Sequence, residues 1–223
     1  MTTRTRPQMD NGQRRALATA IMIAIAPVSA RMQVTSRPTY SLLDVVVFGA
    51  YLPVDTSAYP AEVRSLLQQH IKRSQAYRPR PRPPEDKKFR EMNMVYSARE
   101  GYERRMFAIA SGAGIERLAR QYVDELRPCY EWEAFHDCPE EEARFAEQHL
   151  AKNPGTPFRE YLPLLAAHRW LCAAAGYELE ERPQEAAQSR RASEAPLATA
   201  LGSQSLLIRT AAQELKARGQ CTN

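Results

Sequence analysis

A chain of 223 residues, 43% of them hydrophobic, is long and apolar enough to bury a real core, which excludes a disordered protein. Nine glycines are few for this length, and Ala, Leu, Arg and Glu dominate, so helices are favoured over a turn-rich sandwich. The formal charge is +5, but four arginines and one aspartate fall within residues 1–30, and without them it is +2, which removes any global case for nucleic-acid binding.

Residues 1–30 read as an export signal. A polar, basic segment ends in Arg14 and Arg15, an apolar run follows from Ala16 to Ile25, and Val28, Ser29 and Ala30 supply a cleavage site. The run is too short to span a bilayer, which takes about 20 apolar residues. The expected product is a periplasmic or secreted chain beginning at Arg31, with no transmembrane span. Residues 31–58 include LLDVVVFGAYLPV, apolar and β-branched enough for a strand but without a partner strand in this chain. An extended N-terminal arm or a short helix packed on the core is expected there, and a docking segment for another chain is the functional alternative.

Residues 59–84 hold a basic helix and an arginine-proline linker. Pro60 suits the first helical position, and Val63, Leu66, Leu67, His70, Ile71 and Tyr77 share one face. RPRPRPP, residues 78–84, ends the helix and predicts an extended polyproline II spacer carrying Arg78, Arg80 and Arg82. Between Arg64 and Arg105 there are twelve basic and five acidic residues, the strongest charge asymmetry after the signal. The three linker arginines are therefore the candidate binding residues, for another envelope protein or an anionic envelope polymer. Nucleic acid is discounted, because Tyr77, Phe89, Tyr96 and Tyr102 sit at helical spacing that core packing explains.

Residues 85–223 read as a helical domain. Phe89, Met92, Val95, Tyr96, Tyr102, Met106 and Ile109 define one long amphipathic helix, broken at Gly112 and Gly114. A second helix carries Ile115, Leu118, Ala119, Tyr122, Val123 and Leu126 and stops at Pro128, so the two should pair antiparallel. In CYEWEAFHDC, Cys129 and Cys138 lie close enough for a local disulfide, which leaves Cys172 and Cys221 as the second pair. Four cysteines permit three connectivities, and sequence alone does not choose. Glu131, Glu133, His136 and Asp137, followed by Glu140, Glu141 and Glu142, offer hard ligands and an imidazole, but the spacing matches no metal signature. A helix N-terminus, where negative charge complements the dipole, accounts for them.

Two helices joined by a Pro/Gly loop follow, over about residues 139–177. Phe145, Ala146, His149 and Leu150 face inward on the first, and Leu164, Leu165, His168, Leu171 and Cys172 on the second, which begins near Tyr161. AKNPGTPFREY and AAAGY resemble one hairpin of exported tetratricopeptide-type proteins. The resemblance implies a helical-hairpin interaction module and carries over no functional residues. His168 and Cys172, four apart on one face, have metal-ligand or base-thiol spacing, and their apolar neighbours make them a core histidine beside a disulfide cysteine. Beyond Tyr177, a charged, weakly periodic stretch to Pro196 precedes a last helix with Leu201, Ile208, Ala211, Ala212 and Leu215, ended by Gly219.

The sequence thus predicts an all-α protein, a helical-hairpin array or irregular bundle with an extended N-terminal arm, stapled by disulfides. No catalytic, cofactor or metal motif is present, and binding or scaffolding in the envelope or secretome is the expected role. The competing expectation is a small envelope hydrolase using Glu131, Glu133, His136 and His168.

Overall fold

The computed structural model describes residues 40–49, 54–82, 90–126 and 135–221. Among them the chain forms eight α-helices: α1 (Leu42–Phe48), α2 (Ala61–Ala76), α3 (Arg90–Ile109), α4 (Ile115–Leu126), α5 (Asp137–Lys152), α6 (Leu162–Leu179), α7 (Pro183–Leu201) and α8 (Leu206–Arg218). The sole β feature among these residues is an isolated bridge between Tyr40 and Val54. The fold is all-α.

The centre of the bundle is α6. Every residue from Leu162 to Ala174 is buried, as are Gly176 and Tyr177. A helix that is apolar all round must be enclosed on all sides, and α5, α7 and α8 all pack on this one. Pro163 in its first turn costs no hydrogen bond there. The α5–α6 hairpin is antiparallel, with Tyr177 bonded to Glu140 at one end and the Trp170 indole donating to Glu147 further along.

Of the two forms expected for residues 31–58, the short helix is the one that residues 42–48 adopt. Ser41 and Asp44 form a capping box, and Leu42, Leu43, Val45, Val46 and Val47 have no solvent exposure. Burial of a β-branched run is thus achieved without a partner strand. The last-turn carbonyls of α1, which no helix can satisfy internally, are taken from outside: Arg105 Nη1 donates to Val47 O at 2.8 Å and Tyr161 Oη to Val46 O at 3.3 Å. At the other end Asp44 pairs with Arg218 at 2.8 Å, and the Leu43 amide donates to Glu214, so α1 is clasped by α8.

The charged stretch after Tyr177, only weakly periodic in sequence, is helical from Pro183. It is α7, with Pro183 in its first turn and Pro196 inside it, and α8 begins separately at Leu206 behind a Ser205 cap. Proline 196 lacks the amide that α7 would need at that point, yet Ala186, Ser189, Ser193 and Ala200 bury a face against neighbouring helices and hold the helix together. Leu201, expected in the last helix, closes α7. Gly219 ends α8 with φ 63°, a left-handed value that suits glycine.

The Cys172–Cys221 disulfide ties the residue just beyond α8 to the middle of α6. Cys138 is also disulfide-bonded, and its expected partner, Cys129, lies outside the described residues. No helix among the described residues is long and apolar enough to cross a membrane.

Candidate functional site

Within the apolar α6 two adjacent residues break the pattern, His168 and Arg169, with 0% and 3% exposure. A buried guanidinium must be paired and hydrogen-bonded. Its partner is Glu142, from α5, whose Oε2 accepts from Arg169 Nε. The same carboxylate receives Arg105, from α3, through Oε1 at 2.5 Å, and the Tyr102 hydroxyl through Oε2 at 3.3 Å. Three helices therefore meet on one carboxylate. The Arg105 guanidinium also lies 4.4 Å over the Tyr102 ring, and Arg169 lies 5.3 Å over Phe48.

The electrostatics follow from this geometry. Burial pushes the Glu142 carboxyl up, but Arg169 and Arg105 more than reverse that and hold it below the ordinary carboxylate range. Burial, reinforced by Arg169 and Arg105, drives His168 far below the usual imidazole range, so the ring is neutral. Arg169 Nη1 approaches His168 Nδ1 at 3.1 Å, and since arginine only donates, Nδ1 accepts and the ring proton sits on Nε2. Desolvation carries the Tyr102 and Tyr161 phenols up to about 12. The cluster thus holds fixed charges and neutral rings, with no group among these poised to exchange a proton near neutrality.

The cluster floors a recess of about 230 Å³. Ser97, Ala98, Gly101, Tyr102 and Arg105 of α3 form one wall, and Cys138, Pro139, Glu142, Arg169 and Phe48 the rest. Its lining mixes the guanidiniums, carboxylate and phenol of the cluster with Phe48, Ala98, Gly101 and Pro139 and the polar Ser97. Arg105 Nε and His168 Nε2 are buried with no hydrogen-bond partner. A larger, more open recess of about 840 Å³ lies at the α3–α4 turn. Its guanidiniums are paired, Arg80 with Asp124 and Arg120 with Glu116, although Arg80 Nε and Arg120 Nε are buried without a hydrogen-bond partner as well.

The linker arginines are placed elsewhere. Arg80 pairs with Glu103 at 2.5 Å and Asp124 at 3.0 Å, and Arg82 with Glu100 at 3.5 Å. Arg78 is exposed, and its carbonyl accepts from Arg120. The start of the arginine-proline segment is therefore pinned along α3 and α4 rather than held out as a free spacer. Glu131 and Glu133 lie outside the described residues. His136 stacks on Tyr177 and pairs with Glu180 at 2.5 Å, while His168 is nine positions earlier on α6, about 13 Å of helix rise away. The two histidines belong to different surroundings.

His168, Cys172 and Cys221 bring their ligand atoms within 4.8 Å of one another, but both sulfurs are committed to the disulfide. Of the three glutamates read as a helix-dipole cluster, Glu140 bonds Tyr177 and Arg144, Glu141 is exposed, and Glu142 turns inward to the arginines. Arg169 inside an apolar run was the one sequence signal for this site. Arg105 and Gly101 carried none, being one arginine and one glycine on a long polar helix.

Compared with protein-family models, curated proteins and solved structures, the chain matches none of them. Fold and site together define an all-helical, disulfide-bonded protein with a charged recess lined by α1, α3, α5 and α6.

Proposed function

We propose that this chain is an exported, all-helical binding protein that acts in the periplasm or after secretion, and that its ligand occupies the recess between α3, α5 and α6. The observation that carries this proposal is the Arg105–Glu142–Arg169 cluster: buried, ionised and fixed by hydrogen bonds. General acid-base work needs a group whose pKa lies near the operating pH, whereas the two arginines hold Glu142, and burial with the arginines holds His168, away from it. A rigid, preorganised set of donors in a cleft suits recognition instead. The helical hairpin of α5 and α6, with its tetratricopeptide-like loop, supplies a scaffold of the kind used for binding. The export signal over residues 1–30 and the disulfides fit an oxidising compartment.

The test uses oxidised protein starting at Arg31, screened by ligand-observed NMR against a mixed library of small metabolites, with Gly101→Leu in parallel. A Cβ built at Gly101 meets no atom within 4 Å, so leucine there fills the recess without a backbone clash. Hits that disappear with Gly101→Leu support the proposal. Hits indifferent to the substitution, or turnover of library esters and amides in place of reversible binding, overturn it.

A further inference from the structure

We infer that the Cys172–Cys221 disulfide is a thiol–disulfide exchange site, opened by a dithiol that attacks Cys221 and displaces Cys172, and so a redox-sensitive latch between α6 and α8. Two observations carry this, and neither needs a ligand in the recess. The first is that the two sulfurs are unequal. Cys172 lies in the middle of α6 and is 3% exposed, whereas Cys221 follows the end of α8 and is half-buried. Exchange requires a thiolate to reach one of the bonded sulfurs, so access chooses which is attacked. In this fold that sulfur is Cys221, and Cys172 becomes the leaving group.

The second observation is what surrounds the leaving sulfur. His168 Nδ1 stands 3.4 Å from Cys172 Sγ. The ring is neutral, and Nδ1 is an acceptor because Arg169 Nη1 donates to it. A sulfur in a disulfide has no proton to offer that acceptor, whereas a thiol has one. The imidazole is therefore placed to receive the Cys172 S–H once the bond is open. Charge acts in the same sense. Burial opposes any ion here, but of the charged groups acting most strongly on His168, Arg169, Arg105 and Arg218 are cationic and Asp44 is anionic. The positive field that joins burial in keeping the imidazole neutral favours a departing thiolate one helical turn away. In the exchange, a bond forms between the dithiol sulfur and Cys221 Sγ, and the bonding pair of the disulfide goes to Cys172, which takes up the proton given off by the attacking thiol. The second thiol of the dithiol then displaces Cys221, so the dithiol ends as a disulfide and its two electrons and two protons pass to Cys172 and Cys221. With the bond open, α8 keeps its ties to α1 through Asp44 and Glu214 but loses the covalent one to α6.

The experiment treats the oxidised chain under native conditions with 2-mercaptoethanol, a monothiol that traps the mixed disulfide, and separately with dithiothreitol, which completes the exchange. After acid quench, alkylation and peptide mapping, the 2-mercaptoethanol adduct is expected on Cys221 and the alkyl label on Cys172, by about tenfold or more over the reverse. Dithiothreitol is expected to open the bond while the far-ultraviolet circular dichroism stays that of a helical protein, and oxidised glutathione should close it again. His168→Leu removes an acceptor that Cys172 uses only as a thiol. It should move the dithiothreitol equilibrium towards the disulfide by about three- to tenfold, the scale of one hydrogen bond. Because the two redox states of one variant are compared, a general loss of stability cancels, and if the leucine variant does not fold, the position of the adduct in the parent decides alone. An adduct on Cys172, or shared evenly between the two sulfurs, overturns the exchange site. So does a bond that opens only after urea has unfolded the chain, which would leave it a staple and nothing more. An equilibrium unmoved in folded His168→Leu overturns the latch, since the imidazole would then do nothing for the reduced state.

Discussion

At Glu142 one carboxylate faces two buried guanidiniums and a phenol, so its removal should be among the most damaging single changes in the protein. Glu142→Gln keeps the shape but leaves Arg105 and Arg169 buried beside a neutral amide. Loss of one partner from a buried ion pair costs about 3 to 5 kcal/mol, and urea unfolding should show a fall of that size. A loss under about 1 kcal/mol would mean that water reaches the cluster. The same neighbourhood sets the response to acid. His70 is drawn down to about 4 by burial, with Arg73 adding to it, and His168 is held well below the usual imidazole range by burial, Arg169 and Arg105, with Arg218 also opposing and Asp44 favouring the charge. Below the ordinary imidazole pKa of 6.5 the unfolded chain takes up protons that the folded one refuses, so stability falls as pH falls. Each ring contributes about 1.4 kcal/mol per pH unit from there down to its folded pKa, and His149, also lowered by burial, acts in the same direction. Glu142 adds to the loss only below the ordinary carboxylate pKa of 4.5, where the unfolded chain takes up a proton before the folded carboxyl, whose pKa is depressed, does. Unfolding free energies measured from pH 7 to pH 4 should show this slope, and His70→Gln should remove one ring's share. An unchanged slope would place the proton uptake elsewhere.

Within the helices, two interior glycines make opposite predictions. A Cβ at Gly176 of α6 would sit 2.5 Å from the His136 backbone nitrogen and 2.7 Å from its Cα, so the chain entering α5 crosses directly over that glycine. Gly176→Ala must push the two segments apart and should cost about 1 to 3 kcal/mol, as overpacking does. Gly101→Ala enters open space and should stabilise α3 by about 0.5 to 1 kcal/mol. Denaturant titrations that give both changes the same sign would refute the packing described for one of them. These elements also show what was legible beforehand. The run LPLLAAHRWLCAAAGY reads as a helix with one inward face, whereas the structure buries it all round, and α2, α4, α5 and α6 fall where periodicity and prolines put them. The α7 helix was hidden because Pro196 reads as a stop, although buried small side chains hold the helix through it. The inward turn of Glu142 was hidden for a different reason. Three consecutive glutamates at a helix start look alike in sequence, and only the arrival of Arg105 from α3, 37 positions away, singles one out. The recess is likewise a property of four helices meeting, α1, α3, α5 and α6, which no local pattern encodes.

Over the whole molecule, the ends of the described chain are locked to each other and to the centre. Helix α1 leans on α8 through Asp44 and Arg218, the Leu43 amide and Glu214, and the Tyr59 hydroxyl and Glu214. The Cys172–Cys221 bond then fixes the end of α8 to α6 across a separation of 49 residues. Closing a loop of that length removes unfolded-state entropy worth about 4 kcal/mol. For a protein of this size, each kcal/mol moves the melting temperature by about 2 to 4 °C. Cys221→Ala should therefore melt roughly 8 to 16 °C below the parent. Because α1 has its polar contacts with α8, hydrogen exchange should rise together in α1 and α8, while the amides of the α5–α6 hairpin, held by Glu142, Glu147 and Glu140, stay protected. A melting temperature within about 2 °C of the parent would show that noncovalent contacts alone hold α8 in place. Exchange that rises uniformly would show instead that the bond stabilises one cooperative unit, with no separable α1–α8 clasp.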